Sequence, residues 1–64
     1  MLGAELEAGP DFRFVVHQAS GMVSAQLDVT LGEALVRMRA FAFAHDRPLA
    51  AVAEDIVARR LRLT

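Results

Sequence analysis

Apolar residues recur at helical spacing along three stretches of this chain, and only two short breaks separate them. That pattern favours an all-α fold: three amphipathic helices whose apolar stripes bury one another. In the first stretch Phe12, Val15, Val16, Ala19, Met22, Val23, Gln26 and Leu27 line one face. This is the spacing of a helix that packs on another helix, in coiled-coil style for about two heptads. Arg13, His17, Ser20 and Ser24 share a second, polar face. The alternation Phe12-Arg13-Phe14-Val15-Val16 also permits a strand, so spacing alone does not fix where the helix begins. Gly21, in its middle, costs about 1 kcal/mol relative to alanine. With Ala19 and Ser20 it makes a smooth patch that either another helix or a nucleic-acid backbone can approach.

Asp28-Val29-Thr30 interrupts this stripe, and Thr30 with Glu33 has the spacing of a capping box. The second helix is expected from Leu31 to about Ala44. His45-Asp46-Arg47 then makes a short turn, and Pro48 stands where a first helical residue tolerates proline. The third helix is expected from Pro48 to about Arg62, burying Leu49, Val52, Ala53, Ile56 and Leu63. Asp55 and Arg59 form an i,i+4 pair with the acid first, and Arg60 falls in the last turn, where the helix dipole favours a cation. Ahead of these helices, residues 1–11 read as an acidic arm closed by the breaker Gly9-Pro10. Residues 12–64 are the folded domain.

Sixty-four residues make one small domain, and a chain this short gains little from its core alone. It has no cysteine, so neither a disulfide framework nor a thiolate metal site adds support. His17 and His45 lie far apart without further ligands nearby, so no metal is expected. The hydrophobic share of 55% leaves apolar surface to spare, which makes a homodimer the natural expectation. No apolar run has the length of a membrane span, and a soluble, cytoplasmic protein is expected.

Charge is unevenly distributed. Glu5, Glu7 and Asp11 give the first eleven residues a charge of −3, while residues 12–64 carry all seven basic residues against five acids, for +2. All seven are arginine. A GC-rich genome produces that bias without functional cause; alternatively, the planar guanidinium suits phosphate oxygens and base edges better than lysine does.

Two of these arginines sit in the second helix on opposite flanks of its stripe. At 100° per residue its core face takes Leu31, Leu35, Met38 and Ala42, with Ala34 and Phe41 at one edge. Arg37 falls one turn after Glu33 in the favourable acid-first order, and solvated pairing explains it. Arg39 falls on the other flank among Gly32, Val36 and Phe43, with no acid three or four residues away. A guanidinium, an aromatic ring and small or apolar neighbours on one surface suit unstacked bases. The competing explanation is that Val36 and Phe43 face the third helix or a dimer partner and Arg39 snorkels at that border.

The order of these features resembles the ANTAR domain, the RNA-binding output module of bacterial transcription antitermination regulators. The resemblance rests on Ala19-Ser20-Gly21, Glu33-Ala34, Arg39, Ala42, Leu49 and Val52-Ala53, with the family's spacing kept from residue 19 to residue 53, and on the tail Ala58-Arg59-Arg60-Leu61-Arg62-Leu63. The wording is closest to actinobacterial members in which a GAF sensor precedes the ANTAR module. The resemblance implies a three-helix domain that dimerises through an upstream helix. Each domain would bind the apical loop of an RNA stem-loop, and paired stem-loops near a terminator would be the target. Binding would hold an antiterminator structure, so that the terminator hairpin does not form. Gly21, Arg39 and Ala42 come from the family pattern as RNA-binding positions. Geometry adds Phe43 as a stacking platform and Arg47 as a phosphate contact.

Two other classes compete. A helix-turn-helix DNA reader needs a polar recognition helix, whereas the third helix opens Pro48-Leu49-Ala50-Ala51-Val52-Ala53. A dimerisation or partner-binding module without nucleic acid fits the net charge of −1. Enzyme chemistry is not expected: no nucleophile stands at a usable spacing from a base, and Glu54 and Asp55 point about 100° apart on one helix. No catalytic residue, cofactor or small-molecule substrate follows from the sequence.

Overall fold

The computed structural model describes residues 10–63, and in it three helices enclose one core. They are α1 (Pro10–Leu27), α2 (Leu31–Ala44) and α3 (Leu49–Val57), the all-α bundle expected from the spacing. Among the described residues there is no strand. The Phe12–Val16 alternation is therefore helical, and α1 begins two residues earlier, at Pro10, whose missing N–H costs nothing in a first turn. The acidic residues 1–9 lie outside the described residues.

Each helix contributes a short buried ridge. Val16, Ala19 and Val23 come from α1, Ala34, Met38 and Ala42 from α2, and Val52, Ala53 and Ile56 from α3. Ala19, Ala34 and Ala53 are fully buried, so the backbones approach closely around Met38, the bulkiest enclosed side chain. Thr30 starts α2 as foreseen: its hydroxyl oxygen accepts the Glu33 N–H at 3.0 Å, supplying one donor's partner in the first turn. Pro48 takes the N-cap of α3, one position earlier than a first helical residue.

All three helices stop in the same way. Asp28, Asp46 and Arg59 have φ values of 58°, 55° and 65°, the left-handed region that glycine enters most cheaply. The next residue's N–H then reaches back to a carbonyl of the last turn: Val29 to Ser24 at 3.1 Å, Arg47 to Ala42 at 2.9 Å and Arg60 to Asp55 at 2.8 Å. These are Schellman-type closures built without glycine.

The third closure corrects the sequence reading. α3 ends at Val57, not near Arg62, because Arg59 leaves helical φ. Asp55 consequently does not pair with Arg59; it accepts from Arg47 and Arg60 instead. Arg60 lies beyond the helix and not in its last turn. Leu63 is buried as expected, but it reaches the core from the segment that folds back after α3.

Two further assignments change. Leu31, placed on the core face, is 55% exposed, because the buried ridge of α2 centres on Ala34, Met38 and Ala42, rotated roughly 30° from the expected axis. Ser20, placed on the polar face of α1, is buried; its hydroxyl is satisfied by donating to the His17 carbonyl at 2.8 Å. A small hydroxyl that bonds its own helix adds little polarity to a core, which is why spacing alone misplaced it.

Candidate nucleic-acid interface

The flank of α2 that carries Arg39 is bare. Gly32, Val36, Arg39 and Phe43 fall within about 60° of one another around the helix, and all four are exposed. Val36 is 58% exposed and Phe43 90% exposed. Neither α1 nor α3 covers this flank. Leaving a phenyl ring in water forgoes about 1.5–3 kcal/mol of burial, and Phe43 shares this uncovered flank with the Arg39 guanidinium. Arg39 has no ion pair or side-chain hydrogen bond among the described residues, and its guanidinium is available to a ligand.

Arg37 behaves as its spacing implied. Its Nε lies 3.4 Å from Glu33 Oε2 with both side chains half-exposed, a geometry worth little energy but sufficient to explain its place.

Past Phe43 the flank runs into the turn between α2 and α3. There Ala42, Phe43, Asp46, Arg47 and Pro48 line a shallow depression of about 390 Å³. Three of the residues proposed from sequence thus meet at one end of α2, with Arg39 one turn away on the same flank. Their surroundings differ. Ala42 is buried as part of the core, so its side chain offers the depression no polar group. Arg47 is half-exposed, and its Nη2 donates to Asp55 Oδ2 at 2.7 Å. Asp55 also receives Nε and Nη2 of Arg60, at 3.0 and 2.9 Å on Oδ1. The side-chain hydrogen bonds from Arg47 and then Arg60 hold the Asp55 carboxyl below its ordinary pKa of 3.8. One carboxylate therefore restrains two guanidinium groups, each of which keeps further N–H donors for a phosphate.

Gly21 stands apart from this cluster. It lies on the exposed face of α1, and a Cβ built there meets nothing within 4 Å. Close packing among the described residues therefore does not require a glycine at this position. Phe14, 70% exposed, lies on the same outer face about two turns earlier.

The ANTAR domain family model matches residues 4–57 of the 64. The chain belongs to the ANTAR domain family. The family is one of RNA-binding output domains of transcription antitermination regulators, regulatory and not enzymatic. No curated protein and no solved structure matched the chain. In this ANTAR domain α3 spends its N-terminal half on the core: Leu49 to Ala53 are all half-buried or buried, so no recognition helix projects as a helix-turn-helix reader requires. No helix among the described residues is long and apolar enough to cross a membrane. Sequence spacing did not single out Asp46 and Pro48 as walls of the depression. The signal for Asp46 was its place just after the helix, where aspartate tolerates a left-handed φ.

Proposed function

We propose that this ANTAR domain acts in the cytoplasm as a transcription antitermination regulator, as a homodimer that binds paired stem-loops in nascent mRNA and prevents terminator formation. The observation that carries the reading is the uncovered flank of α2, where Arg39, without an ion pair among the described residues, stands beside a 90% exposed Phe43. In this reading Arg39 hydrogen-bonds an apical-loop base, and Phe43 stacks on an unpaired neighbour. Arg47 meets a phosphate with the donors that Asp55 does not occupy, and Ala42 keeps the adjoining depression open. Gly21 offers the outer face of α1 for close approach, and Phe14 on that face supplies apolar surface for a second copy. Its wording resembles that of actinobacterial members in which a GAF sensor precedes the ANTAR module.

Fluorescence anisotropy of the chain with a tandem stem-loop RNA, beside a duplex DNA of equal length, tests this. RNA-selective affinity that falls with rising salt is expected. Equal affinity for both nucleic acids, or none from the folded chain at low salt, would leave a protein-interaction module as the better description.

A further inference from the structure

A second concave surface lies on the opposite flank of α2, where the segment after α3 folds back. We propose that this cleft is a nucleotide-binding site, taking a nucleobase against the stacked Phe41 and His45 rings and a phosphate between Arg37 and Arg62. The cleft holds about 400 Å³, within the range of small-ligand sites. Its aromatic element is preformed: the two ring centroids are 4.0 Å apart and the planes 19° from parallel. His45 is held in place twice by the Phe41 carbonyl oxygen, which accepts from its backbone N–H and from its Nδ1, each at 3.0 Å. Those bonds also cover a carbonyl at the C-terminus of α2 that would otherwise repel an anion.

Charge and shape agree with that ligand. Arg37 and Arg62 are both exposed, and among the described residues no carboxylate side chain lines the cleft. Arg62 has no ion pair among the described residues, and Arg37 touches Glu33 only through Nε at 3.4 Å. Ala40 and Ala44 leave the opening wide, while buried Leu63 anchors the returning segment and with it Arg62. An inorganic anion would leave the ring pair unused, and an apolar ligand would leave both guanidinium groups unused. A nucleoside monophosphate uses all four. Its source is either a free nucleotide or an exposed nucleotide of an RNA strand. The proposal uses no residue of the Arg39 flank and does not depend on the reading above.

Titration of the 15N-labelled chain with adenosine 5′-monophosphate, adenosine and inorganic phosphate tests it. Amide signals of Ala40, Ala44, His45 and Leu63 should shift and saturate with the monophosphate. Affinity should fall about tenfold when Arg62→Gln removes one charge-assisted contact. Arg37→Gln, also at an exposed position, should weaken binding in the same direction, and Arg39→Ala should not change it. A stem-loop RNA distinguishes the source: Arg62→Gln weakening both RNA and monophosphate assigns the site to the RNA strand, and weakening the monophosphate alone assigns it to a free nucleotide. Shifts that scatter without saturating, or monophosphate binding untouched by Arg62→Gln, would overturn the proposal.

Discussion

Arg47 and Asp55 lie eight residues apart, and their 2.7 Å hydrogen bond ties the turn after α2 to the far end of α3. Arg60 joins from the other side, so one carboxylate fastens the turn, the helix and the returning segment together. Arg47 also lines the depression beside α2 together with Phe43, so this contact joins the bundle's ion-pair network to its candidate interface.

That arrangement has a pH signature. Asp55 is held below its ordinary 3.8 in the folded chain by the Arg47 and Arg60 hydrogen bonds. Its contribution to stability is therefore present above the unfolded value and disappears as pH falls through the lower folded one. Asp55→Asn should lower the thermal midpoint near neutral pH, and the gap from wild type should close as the medium becomes more acidic than the ordinary carboxylate range. Thermal melts followed by circular dichroism across that range check this. A gap that stays constant into strong acid would mean that the ion pairs contribute nothing.

Arg59 ends α3 with a φ of 65°. A side chain in that region costs roughly 1–2 kcal/mol, against which glycine loses about 0.5–1 kcal/mol in chain entropy. Arg59→Gly should hold or raise stability by up to about 1 kcal/mol, while Arg59→Val should lower it by about 1 kcal/mol or more, since a β-branched residue is worst there. Chemical denaturation of the two variants checks the ordering, and a more stable valine variant would contradict the left-handed cap.

Met38 is fully enclosed between the three helices. Met38→Ala should cost about 2–5 kcal/mol. A domain this small has roughly 3–10 kcal/mol in total, so the variant should be partly or largely unfolded at room temperature. A native-like midpoint in a urea titration would show that the core closes over the lost volume.

Gly21 gives the reverse case. Because a Cβ there meets nothing within 4 Å, Gly21→Ala should stabilise the chain by about 1 kcal/mol through helix propensity. Gly21→Leu should leave the fold intact yet weaken RNA binding or dimerisation, read by anisotropy and analytical ultracentrifugation. Unchanged affinity and oligomeric state in the leucine variant would mean that nothing approaches this face.

Much of this molecule is legible in its residues, and the exceptions have local causes. The capping pair Thr30 and Glu33 and the periodicity of Val16, Ala19, Val23, Met38 and Ile56 announce three packed helices without tertiary information. The end of α3 was hidden because an arginine in a left-handed cap leaves no mark in sequence, whereas a glycine would have. Asp55 paired forward with Arg59 on paper, but the termination at Arg59 turned it toward Arg47 and Arg60. Leu31 was misassigned because the ridge of α2 centres on three small or flexible residues and not on its leucines. At the candidate interface, spacing separated Arg39 from Arg37 correctly by flank. It did not reveal that Phe43 is almost wholly exposed or that Arg47 is partly engaged with Asp55.

The most direct test of the account is the affinity of Arg39→Ala for a tandem stem-loop RNA, measured by anisotropy with circular dichroism on the same sample. The account predicts a loss of about tenfold or more, from about 1–3 kcal/mol for one base-edge contact, with helicity unchanged because Arg39 is exposed and has no ion pair among the described residues. RNA affinity equal to wild type, or a loss accompanied by unfolding, would contradict it and remove Arg39 from the interface.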